Sequence, residues 1–274
     1  MSAVWVDGAL RDEAEACVSP FDHGLLTGDG VFETLRVARS TPFAVRRHLD
    51  RLARSAAGLR LPCPPPALVR SAMEEVVRAN GLTEGRLRVT VTGGPSALGS
   101  DRAAVGPTVI VAGGPLPDWP PTADVVVVPW PRNERGALAG LKTVSYGENV
   151  VALAHARERG AGEAIFGNLA GNLCEGTGTN VFLVAGGRLL TPPLSAGCLA
   201  GVTRELLLEL VDVVEDDVPL GALEGAEEAF LTSSTRDLQP IAAVDGRPLP
   251  ACPGPRTAAA AAAFADLLAR DLDP

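Results

Sequence analysis

The chain has 274 residues, of which 46% are hydrophobic and 21% are charged, and its formal net charge at pH 7 is −9. A chain of this length can bury a sizeable core in one large or two ordinary domains. The acidic balance argues against binding to nucleic acid or to anionic membranes, because both need a basic surface. No apolar run reaches the roughly 18 to 20 residues that span a bilayer, and the N-terminal residues lack the pattern of a signal peptide, so we expect a cytoplasmic protein.

The cysteines and histidines carry little chemistry. The five cysteines are odd in number, widely separated and without a CxxC pair. This spacing predicts reduced thiols and neither a disulfide framework nor a zinc site. The three histidines have no metal-ligand spacing either, so we predict no metal site.

The first half of the chain alternates strand and helix patterns. Strands are predicted in four segments: AVWVDGAL, GVFETLRVA, RLRVTVTGG and PTVIVAGG. Between them, the apolar residues of TPFAVRRHLDRLARSAAGL recur at helical spacing. A second helix is predicted in PPPALVRSAMEEVVRANGL, which opens with prolines and ends in Asn-Gly.

A segment dense in proline and glycine, GGPLPDWPPT, follows the last of these strands. This composition is typical of a connection between domains. We therefore predict a linker at residues 115–121. It separates a smaller domain, residues 1–114, from a larger one, residues 122–274.

The second half contains two features suited to binding an anion. A strongly apolar helix is predicted to begin at Gly201, Val202 and Thr203, and the first N–H groups of a helix are unpaired and lie at the positive end of its dipole. The predicted strand EEAFLTSS runs into four hydroxyl residues, 232–235, which offer further donors. An ordinary helix start and a capped turn explain the two features equally well. Further strands are predicted in ADVVVVPW and in the series from EAIFGN to LLT, and further helices in NVVALAHARERGA and in the alanine-rich C-terminal segment.

Lys142 is the only lysine among 24 basic residues. A primary amine that must lose its proton and attack a carbonyl cannot be replaced by a guanidinium, whose pKa stays above about 12. Lys142 is therefore a candidate for covalent chemistry. From the count alone, an ordinary lysine in an arginine-biased chain is an equal alternative.

Five separated motifs resemble, in family order, those of the class IV aminotransferases, which are fold type IV pyridoxal-phosphate enzymes. The motifs are FDHGLLTGDGVFETLRV, HLDRL, GLKTVSY, the stretch from Glu175 to Arg204, and FLTSSTRDLQPI. The resemblance implies a two-domain α/β (α+β) fold like that of D-amino-acid aminotransferase, with pyridoxal 5'-phosphate as cofactor. It also implies a small-molecule substrate and a homodimer in which the partner subunit contributes to the pocket.

The resemblance implies a role for each residue that matches a motif. Lys142 would bind the cofactor covalently and then move the substrate proton, and Glu175 would pair with the pyridine nitrogen. Arg51 would bind the cofactor phosphate. The remaining candidates are Val202, Thr203, Ser233 and Ser234 at the phosphate, Tyr146 at the ring hydroxyl, and Glu33 and Arg88 on the substrate side.

The short first half, with GDGVFETL and KTVSY, most resembles the bacterial 4-amino-4-deoxychorismate lyases. This similarity predicts conversion of aminodeoxychorismate to 4-aminobenzoate and pyruvate, a step toward folate. The alternative is a class IV aminotransferase acting on branched-chain or D-amino acids. The D-amino-acid form is disfavoured because Val91, Thr92 and Gly93 stand where an arginine is expected. A non-catalytic cofactor-binding protein is a second alternative, although phosphate binding alone requires neither Lys142 nor Glu175.

Overall fold

The computed structural model describes residues 2–274, which form two compact units. The first unit extends to Pro117 and also includes Leu141–Tyr146 and Asp271–Pro274; the second consists of Asp118–Gly140 and Gly147–Arg270. The change from one unit to the other after Pro117 falls within the predicted linker. The prediction assigned all of residues 122–274 to one domain, whereas the structure places two short segments of that range in the first unit.

The first unit contains six strands and three helices. They are β1 (Ala3–Val6), β2 (Ala9–Asp12), α1 (His23–Leu26), β3 (Gly30–Ala38), β4 (Thr41–Pro42), α2 (Val45–Gly58), α3 (Pro66–Ala79), β5 (Gly85–Thr92) and β6 (Thr108–Gly114). The strands form one antiparallel sheet in the order β2-β1-β6-β5-β3-β4. The segment AVWVDGAL, predicted as a single strand, is a hairpin, because Asp7 and Gly8 both adopt positive φ and turn the chain.

The register between β3 and β5 decides which side chains meet. Successive side chains of a strand point to opposite faces of the sheet. Val31, Leu35, Leu87 and Val89 lie on the face that forms the core with α2 and α3. The intervening residues, among them Phe32 and Arg88, lie on the opposite face.

The second unit contains nine strands and three helices. They are β7 (Ala123–Val127), α4 (Gly147–Glu158), β8 (Glu163–Gly167), β9 (Leu173–Gly176), β10 (Asn180–Ala185), β11 (Arg188–Thr191), α5 (Val202–Leu210), β12 (Val214–Glu215), β13 (Glu228–Ser233), β14 (Asp237–Val244), β15 (Arg247–Pro248) and α6 (Pro255–Arg270). The sheet order is β12-β11-β10-β13-β14-β7-β8-β9, with β15 paired to β14. Strand β14 was not predicted, since Pro240 and the polar residues before it obscure the alternating pattern.

Two further observations bear on the sequence expectations. No helix within residues 2–274 has the length and apolar character needed to cross a membrane. Over the same residues the five cysteines carry no disulfide, and burial raises the pKa of Cys174 and Cys198, so both remain thiols.

Candidate active site

Lys142 lies beside β3 in the first unit. The Phe32 N–H donates to the Lys142 carbonyl at 3.0 Å, and the Val144 N–H donates to the Gly30 carbonyl at 2.9 Å. The Lys142 N–H donates to Ser55 Oγ on α2 at 3.1 Å. This pairing explains why the segment around Lys142 belongs to the first unit. It holds the backbone of Lys142 against two elements, so the position of the amine depends on the side-chain torsions alone.

One aromatic ring gathers three of the predicted site residues. Lys142 Nζ lies 4.4 Å from the centroid of the Phe32 ring, and Arg88 Cζ lies 3.8 Å from the same centroid. The Tyr146 ring meets Phe32 edge-on, with 5.2 Å between centroids. Within the described residues, no carboxylate lies within ion-pair distance of Arg88. The amine and an unneutralised guanidinium therefore share one apolar surface.

Arg51 belongs to a buried cluster on the other face of the sheet. Its Nε and Nη2 atoms donate to the two oxygens of Glu33 at 2.8 and 2.7 Å. His48 Nδ1 lies 2.7 Å from Glu33 Oε2. Burial alone would raise the pKa of the Glu33 carboxyl, but Arg51 and His48 together hold that pKa well below its usual range. Glu33 is therefore an anion that fixes the guanidinium of Arg51.

This geometry corrects the expectation for Glu33. The side chain is only 1% exposed and both oxygens are occupied. Glu33 and Phe32 are adjacent on β3 and point to opposite faces, so Glu33 lies with Arg51 and not with Arg88. Of the two residues predicted on the substrate side, Arg88 contacts the same Phe32 ring as Lys142, whereas Glu33 lies in the buried cluster with Arg51 and His48.

Glu175 lies on β9 in the second unit, where Arg132 and the backbone of Leu199 contact its carboxyl group. Arg132 Nε donates to Glu175 Oε1 at 3.2 Å, and the Leu199 N–H donates to Oε2 at 2.9 Å. The guanidinium of Arg132 also stacks on the Phe166 ring, at 4.0 Å from its centroid. The Arg132 guanidinium and the Leu199 N–H hold the two carboxyl oxygens of Glu175 in place, and a carboxylate oxygen is a suitable acceptor for a protonated ring nitrogen.

The two predicted anion-binding features are neighbours in the second unit. Helix α5 begins at Val202 after Gly201, and no side chain caps it. The Asn180 side chain fixes the segment that leads into α5, because its Nδ2 donates to the Leu199 carbonyl at 2.8 Å. Position 201 must be a glycine here, since a Cβ would collide with the Asn180 side chain. Asn180 also pairs with Thr232 across β10 and β13, so the hydroxyl cluster lies next to the start of α5.

Thr232 provides a test of whether this region suits a phosphate. Its Oγ1 is buried and has no hydrogen-bond partner within residues 2–274. Buried hydroxyls are seldom left unpaired, because desolvation without a hydrogen bond is costly. An unpartnered hydroxyl beside an uncapped helix start fits a ligand that accepts several hydrogen bonds. The residues present therefore fit a phosphate group.

A buried ion pair connects Glu175 with the hydroxyl cluster. Arg236 Nη2 donates to Glu163 Oε2 at 2.9 Å, and the Arg236 N–H donates to Ser233 Oγ at 3.2 Å. Glu163 Oε1 accepts from the Thr177 N–H at 3.1 Å and from the Thr177 hydroxyl. Because Thr177 follows Glu175 by two residues, one carboxylate holds both the turn after Glu175 and the loop after Ser233.

Sequence reasoning missed His48, Arg132 and Glu163. His48 contacts Glu33 and Arg132 contacts Glu175, whereas Glu163 contacts Arg236. In each of these contacts the two residues are 15 or more positions apart in the chain. His48 stood within the quoted HLDRL motif, which was the only signal for it. Arg132 and Glu163 had no local signal, because an arginine after a strand and an acid at the start of one are ordinary surface patterns.

Comparison with known proteins shows which family has this arrangement. Residues 30–244 match the family model described as amino-transferase class IV. The protein named "Putative branched-chain-amino-acid aminotransferase" from Methanocaldococcus jannaschii is 35% identical over 259 residues, covering 89% of this chain and 88% of that protein. The aminodeoxychorismate lyase of Bacillus subtilis is 30% identical over 255 residues, covering 88% and 86%.

Solved structures give the same result. A branched-chain amino acid aminotransferase from T.th., solved with pyridoxamine 5'-phosphate, superimposes with a TM-score of 0.91 at 25% identity, over 97% of this chain and 94% of that one. The predicted fold type is confirmed by this likeness. The pyridoxal-phosphate cofactor expected from the sequence is confirmed as well.

Proposed function

Because the chain belongs to the class IV aminotransferase family, we propose that it is a pyridoxal-phosphate-dependent aminotransferase acting on branched-chain amino acids. The observation that carries the proposal is the pair formed by Lys142 and Arg88 on the Phe32 ring, an amine beside a cation able to bind a substrate carboxylate. The higher identity to the Methanocaldococcus protein than to the lyase favours this alternative over the lyase predicted from the sequence.

The residues that match the family motifs would hold the cofactor in this proposal. Lys142 would bind the aldehyde carbon, Tyr146 the ring hydroxyl, and Arg51 the phosphate. Glu175 would bind the pyridine nitrogen. Further phosphate donors are the first turn of α5 at Val202 and Thr203 and the hydroxyls of Ser233 and Ser234. When bound, pyridoxal phosphate supplies an aldehyde that takes up an amino group and a ring that withdraws electrons from the α-carbon.

The protein's own residues would then divide the work. Lys142 would take the proton from the substrate α-carbon and would deliver it to the carbon that carried the cofactor's aldehyde, which requires an amine that can lose its proton. Arg88 holds the substrate carboxylate, and Phe32 excludes water from the side of the amine. Arg132 holds the carboxyl group of Glu175 in place.

Half-reactions test this proposal against the lyase. L-Leucine alone is expected to convert about one equivalent of bound cofactor to its amine form and then stop until a 2-oxo acid is added. D-Alanine, offered in parallel, is expected to react far more slowly. Aminodeoxychorismate alone is expected to give no 4-aminobenzoate. The proposal is abandoned if leucine leaves the cofactor spectrum unchanged.

The lyase is the second candidate, because the Bacillus subtilis relative matches most of the chain. In that reaction Lys142 would remove a ring proton, and the enolpyruvyl group would leave as the ring becomes aromatic. No amino acceptor is needed, so equal amounts of 4-aminobenzoate and pyruvate should form over many turnovers from aminodeoxychorismate alone. A non-catalytic cofactor-binding protein would show neither response.

Arg88 gives a test of substrate binding. Arg88→Ala is expected to raise KM for leucine about 10- to 100-fold, because a charged hydrogen bond contributes roughly 1.5 to 3 kcal/mol. The matched control is Arg86→Ala, which removes a guanidinium two residues earlier on the same strand face and leaves the Phe32 contact intact. Equal effects of both variants on KM would remove Arg88 from the substrate site.

We infer that the protein is a homodimer, on the strength of one exposed apolar cluster. Phe21, Leu25 and Leu98 are 52%, 71% and 80% exposed. They lie close together, since the Ser96 N–H donates to the Phe21 carbonyl at 3.1 Å and His23 Nε2 lies 2.9 Å from the Ala97 carbonyl. Clustered exposed apolar residues are typical of protein–protein contacts, and a second copy is the partner that the family resemblance implies.

Light scattering of the purified protein tests the dimer. We expect twice the monomer mass of 28.2 kDa for the unaltered chain. Leu98→Glu should shift the population toward monomer, because it introduces a charge into the cluster. Leu169→Glu, at another exposed leucine, is the control and should leave the mass unchanged. A monomer at micromolar concentration for the unaltered chain would contradict the inference.

A further inference from the structure

Helix α2 begins without a cap of its own. The residue before it, Ala44, adopts a left-handed conformation with φ of 54° and has no side-chain acceptor. The first four N–H groups of a helix have no partner inside the helix, and a Ser, Thr, Asp or Asn at the preceding position normally accepts from the second or third of them. No residue next to the start of α2 therefore supplies a side-chain acceptor for the N–H groups of its first turn.

The segment Asp271–Pro274 supplies the missing acceptors. Asp273 Oδ1 accepts from the N–H of Arg46, the second residue of α2, at 2.8 Å. The Leu272 carbonyl accepts from the Ala44 N–H at 2.7 Å, and the Pro274 carbonyl accepts from Arg47 Nε at 3.0 Å. The Asp273 carboxylate also lies at the positive end of the helix dipole, where a negative charge is favourable.

Helix α2 is the element that carries the buried cluster around Glu33. His48 and Arg51 lie one and two turns from its start, and Ser55 receives the N–H of Lys142. Loosening of a helix is greatest at its end and decreases along it, so a loosened first turn affects Arg51 more than Ser55, which lies about three turns from the start. The position of Arg51 therefore depends on how the first turn of α2 is held.

We propose that Asp273 is a positioning residue for the cofactor phosphate, acting as the N-terminal cap of α2 from the far end of the chain. It contacts neither cofactor nor substrate and acts through α2 on Arg51. The proposal rests on the proposed phosphate role of Arg51. Loss of this cap loosens the first turn of α2 and weakens binding of the phosphate, while contacts to the ring and the aldehyde are kept.

Titration of the cofactor-free protein with pyridoxal 5'-phosphate and with pyridoxal, which lacks the phosphate, tests this role. Asp273→Ala is expected to raise the Kd for pyridoxal 5'-phosphate about 3- to 10-fold and to leave the Kd for pyridoxal within about twofold. Asp266→Ala removes one exposed carboxylate from α6 and is the control for net charge, with no change in either Kd expected. In an Arg51→Ala background, Asp273→Ala should have no further effect.

Hydrogen exchange gives a readout that does not depend on the cofactor. The N–H groups of the first turn of α2 should exchange faster in Asp273→Ala and at the normal rate in Asp266→Ala. Asp273→Asn, which keeps an oxygen acceptor and loses the charge, should fold and show a smaller change in Kd.

Equal weakening of both ligands, or an unchanged Kd for pyridoxal 5'-phosphate in Asp273→Ala, overturns the proposal and leaves the proposed function intact. Failure of the unaltered chain to bind pyridoxal 5'-phosphate removes the proposed function and this inference together.

Discussion

Lys142→Arg is expected to lower kcat for transamination by at least about 10²- to 10⁴-fold, the range that positioned proton transfer contributes. The guanidinium keeps the positive charge, but it neither loses its proton at neutral pH nor forms an imine with an aldehyde. Because Lys142 is the only lysine, no neighbouring amine can take over its role. The absorption of lysine-bound cofactor should also be absent from this variant.

Lys142→Ala removes the amine without introducing a larger side chain, so it shows whether the activity lost in Lys142→Arg is due to the missing amine. An added small primary amine is expected to restore part of the activity of Lys142→Ala and none of that of Lys142→Arg, whose side chain still occupies the space beside Phe32. Arg54→Ala, an exposed substitution on α2, is the control for handling and folding and should retain full activity. Near-normal turnover in Lys142→Arg would end the covalent assignment.

The regular elements could be predicted because their signals are local. The helical spacing in VRRHLDRLARSAAG and the prolines before PALVRSAMEEVVRA mark α2 and α3, and the alternating strands of the first sheet are equally clear. The hairpin of β1 and β2 was missed although Asp7-Gly8 is a strong turn signal, because the two strands were taken as one run. The periodicity of a sequence thus predicts which elements form more readily than where they end.

The identity of several site residues could also be predicted locally, whereas the contacts between them could not. Lys142, Arg88 and Tyr146 were predicted individually, yet only the antiparallel register of β3 with β5 and the pairing of residues 142 and 144 with β3 bring them to the Phe32 ring. Glu33 and Arg88 were predicted together on the substrate side, but their side chains lie on opposite faces of the sheet, because a one-residue difference along a strand exchanges the two faces. Contacts between residues far apart in the chain leave no local pattern. Asp273, 227 positions from Arg46, is the extreme case.

The second large effect is expected at Glu33. Glu33→Gln should lower the free energy of unfolding at pH 7 by about 3 to 5 kcal/mol, because the variant leaves the Arg51 guanidinium buried without its counter-ion. Glu84→Gln is the matched control. It also breaks a glutamate–arginine pair, but the Glu84 side chain is half exposed, so its loss should cost no more than about 1 kcal/mol. Urea unfolding of the two variants and the unaltered chain gives the comparison.

The pH dependence of these stabilities distinguishes a buried ion pair from simple loss of packing. Arg51 and His48 hold the pKa of Glu33 below its usual range in the folded protein, so the unfolded chain binds the proton first as the pH falls. The stability contributed by the ionised carboxylate is therefore fully present above the ordinary pKa near 4.3 and is lost progressively below it. Burial lowers the pKa of His48 below its ordinary value, so the contribution of His48 titrates separately from that of Glu33. The difference in unfolding free energy between the unaltered chain and Glu33→Gln should consequently be largest at neutral pH and shrink between about pH 4.5 and pH 3. A difference that stays constant over this interval would mean that Glu33 stabilises the fold by its shape and not by its charge.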